Sequence, residues 1–179
     1  MRLAVITAVD AIQQPAWYAI WTRSHFEQAV SDQLAVKGFE MFLPRTTTWT
    51  RRAQKRHLVQ TPLFPGYVFV RHHMDKTSHV EVLKARGVVR VLGDRWDRLT
   101  PVPDDQIEAV RRIVDARAPA FPCSFLQSGA KVRVTEGPLE GLEGVLLRGR
   151  PERGLLVISL TLLQRAVAVE VDCTLVEAA

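Results

Sequence analysis

Cysteine is scarce: Cys123 and Cys173 are the only two in 179 residues. At most one bridge can form, so a disulfide-stapled secreted fold is excluded and two free thiols are the simpler state. No apolar run approaches the roughly 18 residues of a membrane span. Residues 1–12 are apolar but short, with Arg2 near the front, Asp10 within, and no convincing small-residue cleavage site. These absences favour a cytoplasmic protein that is not tied to a membrane. Patterns for catalysis are missing as well. There is no Ser/His/Asp constellation and no glycine-rich loop suited to phosphate. His25, His57, His72, His73 and His79 lack the cysteine or carboxylate spacing of a metal site, and His72 and His73 point apart in an extended chain. Asp104 and Asp105 read as helix starters, not an acid–base pair. The expectation is a protein that is no enzyme and takes no cofactor or metal.

Charge is present, but unevenly. Lys and Arg total 24 against 19 Asp and Glu, a formal charge of +5. Residues 1–127 hold 18 basic and 12 acidic groups, whereas residues 128–179 hold 6 and 7. A uniformly basic nucleic-acid wrapper would not divide in this way. The N-terminal part is the better candidate to face phosphate, and the C-terminal part reads as a protein-binding or weakly RNA-binding module. Between Arg45 and His57 the chain carries Arg45, Arg51, Arg52, Lys55 and Arg56 and no acid. This reads as a cationic finger with a salt-dependent pull on nucleic acid, against the plainer alternative of a solvated hairpin. Trp49 on the same arm either stacks on an unstacked base or packs across the sheet.

The run Pro62-Leu63-Phe64-Pro65-Gly66-Tyr67-Val68-Phe69-Val70 is too apolar for an ordinary turn. Its two prolines fix φ around Phe64, and Gly66 frees the backbone just before a β-rich stretch. Upstream, Trp17 to Thr22 reads as a strand. Ser24 precedes Glu27 at capping-box spacing, ahead of a helix that stops near Gly38. Phe39 to Thr50 returns to strand character, Arg51 to Arg56 is the hairpin tip, and His57 to Gln60 the returning arm. Tyr67 to Arg71 is a strand and Lys76 to Ala85 a short helix. Val88–Leu92 and Arg95–Thr100 are short strands. Pro103-Asp104-Asp105 opens a helix with Ile107, Val110, Ile113 and Val114 on its apolar face and Arg111 and Arg112 on its polar side. The expected first module is thus an α/β sandwich over residues 16–117, behind an extension at 1–15. The proline-broken stretch 118–127 is the joint. Residues 128–179 offer only short β segments at Lys131–Thr135, Gly144–Leu147, Leu155–Leu160, Ala166–Val171 and Thr174–Val176, which suits a small barrel.

Trp17-Tyr18-Ala19, the capped helix, Phe64-Pro65-Gly66-Tyr67-Val68-Phe69-Val70 and Gly87-Val88 resemble the N-terminal domain of the NusG transcription elongation factors. Lys131-Val132-Arg133-Val134 with Gly137, Pro138, Gly141, Gly144 and Val145 resembles a KOW motif. Phe42-Leu43-Pro44 and Ser159-Leu160-Thr161-Leu162-Leu163 are more similar to the specialised RfaH and UpxY paralogues. The resemblance implies an α+β fold: a NusG-type α/β sandwich, then a KOW-containing SH3-like β-barrel. It also implies a monomeric antitermination factor on the RNA polymerase clamp that suppresses pausing. Its contacts would include non-template DNA or nascent RNA, with Rho or the ribosome as partners of the second domain. Under it, Phe64, Pro65, Tyr67 and Phe69 edge a polymerase pocket, with sheet core as the alternative. Trp17 then belongs to the core and Tyr18 to the pocket wall. Ser78, His79 and Val80 stand where RfaH has its His-Thr-Thr element and depart from that triplet; Ser78 and His79 either keep its contact or lie on the exposed face of a short helix. Ile158 and Leu162 form either a core strand with a bulge or, in a helical register, a docking contact with the first domain.

Overall fold

The computed structural model describes residues 14–52, 55–124, 129–148, 153–160, 163–172 and 175–179. The first module contains β1 (Ala16–Thr22), α1 (Glu27–Val36), β2 (Glu40–Phe42), β3 (Arg45–Arg52), β4 (Lys55–Pro62), β5 (Tyr67–His72), α2 (Lys76–Leu83), β6 (Val88–Val91) and α3 (Asp104–Asp115). Four strands form an antiparallel sheet in the order β2-β5-β1-β6, and β3 and β4 stand apart as a two-stranded hairpin. The pleat sends alternate residues to opposite faces. Ile20, Val70 and Val91 pack with Val30 and Leu34 of α1 and Val82 of α2. Trp17, Ala19 and Phe69 pack on the other side with Ile107, Val110 and Ile113 of α3. Burial on both faces makes β1 the centre of an α/β sandwich, as the sequence leads one to expect.

Three local details differ from the sequence reading. The expected strand from Phe39 to Thr50 splits at Leu43-Pro44. Pro44 lacks an N–H for the ladder, and its carbonyl instead accepts from Leu63 N–H at 2.9 Å. Arg95–Thr100 forms no strand and keeps only an isolated bridge between Gly93 and Leu99. The capping box is not used: Phe26 occupies the N-cap of α1 without a side-chain bond. Glu27 is buried and accepts the Gly66 N–H at 2.8 Å. A residue that resembles a local cap therefore ties the helix start to the Pro65-Gly66 bend.

The second module contains β7 (Ala120–Ser124), β8 (Ala130–Val134), β9 (Glu143–Arg148), β10 (Arg153–Leu160), β11 (Arg165–Asp172) and β12 (Val176–Ala178). The expected SH3-like barrel is not formed. The strands make one open antiparallel sheet in the order β12-β8-β9-β10-β11-β7, whose two end strands do not pair among the described residues. The physical reason is how its apolar face is covered. Val132, Val134, Leu156, Ile158, Val167 and Val169 join the same core as α3 and the first sheet, so the face is buried without closure. The edge of β11 is occupied by β7, which lies in the stretch read as the joint. The layers stack as α1 and α2, first sheet, α3, second sheet. Among the described residues no helix is long and apolar enough to cross a membrane.

Candidate functional site

The aromatic run is built around a bend that the backbone enforces. Gly66 sits at φ +84°, where a side chain would be strained, and Tyr67 N–H returns to Phe64 O at 3.0 Å. Thr22 N–H donates to Gly66 O at 2.8 Å, and Glu27 accepts from the N–H of the same glycine. Leu63 and Phe64 are thereby driven inward. Phe64 stands edge-on to Phe69 with ring centroids 5.8 Å apart, and Phe42 lies 6.1 Å from Trp17 and 6.2 Å from Phe69. Such edge-on and tilted pairs suit the ring quadrupoles.

This packing decides which sequence candidates a partner can reach. Trp17, Phe64 and Phe69 are buried at 4%, 1% and 0% exposure. Tyr18 is half-buried on the opposite face, against the α1 side of the core, and burial pushes its phenol pKa up. Pro65 is exposed and Tyr67 half-buried. Directly across from Tyr67 in the ladder stands Trp21, 41% exposed, with the Arg90 guanidinium 5.5 Å from its ring centroid. Pro65, Tyr67, Trp21 and Arg90 therefore form the open rim of a buried aromatic cluster. Trp21 and Arg90 are the rim residues that sequence reasoning missed. Period-two alternation assigns Trp21 to the Trp17 face but does not report its exposure. Arg111 was read as a polar-face residue. In the fold it lies 5.0 Å over the Trp17 ring and 5.2 Å over Phe42, and it pairs with Glu40 at 3.4 Å.

The other candidates lie apart from this rim. Register sets Arg51 opposite Arg56 and Arg52 opposite Lys55 near the hairpin tip, with Trp49 opposite Leu58. The side chains of Trp49, Arg51, Arg52, Lys55 and Arg56 lie outside the described residues. Arg45, at the hairpin base, donates to Gln28 Oε1. Ser78 and His79 are on α2. The Asp75 carboxylate caps that helix by accepting Ser78 N–H at 2.7 Å, which holds the acid below its usual range. Ser78 Oγ lies 3.1 Å from His72 Nε2, and partial burial lowers the His79 pKa. In the second module Val134 is buried and makes a tight return with Leu142 O and Gly141 N. Gly137 and Gly141 turn the intervening loop, Pro138 is exposed and Val145 half-buried. At Gly144 a Cβ would come within 2.6 Å of Val157 O, so β9 and β10 approach too closely there for a side chain. Ile158 is buried on β10, which packs on α3, while Leu162 lies outside the described residues.

One surface cluster makes a direct prediction. The Glu81 carboxylate receives Lys84 Nζ at 2.6 Å and Lys37 Nζ at 2.9 Å, which lowers its pKa from 4.5 to about 2. The folded value is depressed, so the contribution is full above the ordinary value. It is lost as pH falls through the folded one. An NMR titration of the Glu81 side chain is expected to find its midpoint near 2. A midpoint at the ordinary glutamate value would show that these contacts do not persist in water.

Residues 15–111 match the family described as "Transcription termination factor nusG". Similar proteins run almost end to end with the chain. "Transcription termination/antitermination protein NusG" of Vibrio parahaemolyticus is 28% identical over 171 residues, covering 90% of this chain and 94% of that protein. Its namesake in Escherichia coli is 28% identical over 173 residues, covering 91% and 96%. Among solved structures, Thermotoga maritima NusG superposes with a TM-score of 0.61 at 20% identity, covering 93% of this chain and 98% of that one. At that identity the superposition speaks for the fold.

Proposed function

The chain belongs to the NusG family, and we propose that it is a transcription elongation factor whose first module binds RNA polymerase through the rim formed by Pro65, Tyr67, Trp21 and Arg90. The observation that carries this reading is a partly exposed aromatic pair, Trp21 and Tyr67, beside a preformed bend and backed by buried rings. Aromatic groups already held by their own fold lose little side-chain entropy when a partner covers them. Phe64, Phe69 and Trp17 support the rim from beneath. The action is conformational, with no bond made or broken. Capture of RNA polymerase by the intact chain tests it: capture with reduced pausing is expected, and its absence from a folded chain overturns the reading.

The similar proteins named NusG, matched over nine-tenths of the chain, favour a general factor over the specialised antitermination paralogue. A general factor would link polymerase to Rho or the ribosome through the second module. Binding of Rho by the full chain supports the general reading. Placement of its gene beside one long operon, without Rho binding, supports the specialised one.

The β3–β4 hairpin is proposed as a nucleic-acid contact at the polymerase surface. Like charges directly opposite on neighbouring strands are destabilising, and the register repeats that arrangement at two successive pairs. An anion relieves it. Neutralising Arg51, Arg52 and Arg56 together is expected to weaken binding to nucleic acid. The slope of log affinity against log salt should flatten by about 2–3. An unchanged slope would place the phosphate contacts elsewhere.

A further inference from the structure

Glu27 is the only charged residue buried among the described residues. A buried carboxylate costs stability unless it is held by partners. It forms no ion pair among the described residues. Its place in the first turn of α1 favours negative charge through the helix dipole. Its hydrogen bond reaches across 39 residues of sequence, accepting the Gly66 N–H at 2.8 Å. The turn ahead of it is rigid. His25 is held at φ +66°, a conformation that few side chains adopt. Arg23 N–H donates to Gly87 O at 2.8 Å and Phe26 N–H to Arg23 O at 3.1 Å. Phe26 lies so close to Gly87 that a Cβ there would fall 2.4 Å from its ring. The carboxylate is thereby fixed against the start of β6 as well as in α1.

Gly66 in turn seats the rim. Both of its backbone polar groups are engaged, the N–H by Glu27 and the carbonyl by Thr22 N–H at 2.8 Å. The Trp21 indole rests against it: a Cβ on Gly66 would stand 3.8 Å from Trp21 Cδ1 and 3.9 Å from Nε1. Pro65 and Tyr67 are its neighbours in the chain. A shift of this one residue therefore moves Trp21, Pro65 and Tyr67 together. A contact surface binds well when its own fold already holds it in the bound arrangement, so the groups that fix Gly66 bear on affinity from beneath.

We propose that Glu27 is a positioning residue for the rim: by holding the Gly66 amide it fixes the seat of Trp21 and the entry of Tyr67, without meeting the partner itself. This rests on the reading of the rim as the polymerase contact. Two conservative variants of the full chain separate the roles of the side chain. Glu27→Gln keeps the reach and an oxygen acceptor but loses the negative charge at the helix start. Glu27→Asp keeps the charge and is one methylene too short for the bond. Both are read by affinity for RNA polymerase and by hydrogen exchange of the Gly66 amide in the free chain. Glu27→Asp is expected to raise Kd about tenfold and to speed Gly66 exchange by a similar factor. Glu27→Gln should stay within about threefold of the unaltered chain in both. Normal affinity of Glu27→Asp, with Tyr67→Ala weakened in the same assay, overturns this proposal and leaves the rim standing. The opposite order, with Glu27→Gln the weaker binder, also overturns it and assigns Glu27 to the helix dipole. So does a loss of affinity in Glu27→Asp with Gly66 exchange unchanged, since the effect would not pass through the bend. Normal affinity of Tyr67→Ala removes the rim and this proposal with it. Should Glu27→Asp not fold, Glu27→Gln decides: slow Gly66 exchange with full affinity supports the proposal, and fast exchange with full affinity or slow exchange with lost affinity overturns it.

Discussion

Phe69→Ala is expected to destabilise the first module by about 3–5 kcal/mol and to lower its melting temperature by on the order of 10 °C. Phe69 has no exposed surface, and its ring is flanked by Phe64 and Phe42. Truncation removes the buried ring and leaves a cavity between the sheet and α3. Neighbouring strands hold its backbone on both sides, through Ala19 and Phe42, so collapse around the gap is restricted. The loss should appear in chemical or thermal unfolding of the isolated chain, with no partner present. A cost below about 1 kcal/mol would mean that the site relaxes or that the ring is not sealed.

Tyr67→Ala separates binding from stability. Its side chain lies on the same face as Phe69 but at the first residue of β5, where it is only half-buried, so truncation should cost much less stability than at Phe69. If the rim is the polymerase contact, the loss falls on affinity. A central aromatic anchor removed from an interface costs about 2 kcal/mol or more, roughly a thirtyfold rise in Kd. Trp21→Ala should act in the same direction, because Trp21 stands opposite Tyr67 in the ladder and is the more exposed of the pair. The two effects should not simply add, since neighbouring side chains share a covering partner. A destabilised but folded Phe69→Ala with normal affinity beside a weak-binding Tyr67→Ala would support the rim; the reverse pattern would move the contact into the cluster.

Much of the first module is legible in the sequence because its punctuation is local. Pro62, Pro65 and Gly66 announce the bend, and Pro103-Asp104-Asp105 announces α3. Pro44 also announces the break between β2 and β3, and a stricter reading of proline as a ladder breaker would have found it. Glu27 was not legible. Spacing reports a cap within four residues of sequence, whereas its partner, Gly66, arrives through the tertiary fold. The open second sheet was not legible either. Period-two alternation marks one buried face of each strand but does not say whether the sheet covers itself or is covered by α3. The same limit hid Trp21: alternation assigns it to the Trp17 face, and only the packed structure shows where the cover ends. Arg111 illustrates the converse, a charged residue whose stem and guanidinium lie over rings that composition alone would leave bare.

The most direct measurement is the affinity of folded Tyr67→Ala for RNA polymerase beside that of the unaltered chain, with unfolding curves recorded on both. The account predicts a loss of about thirtyfold with the melting transition nearly preserved. Equal affinity in two equally folded chains would contradict it.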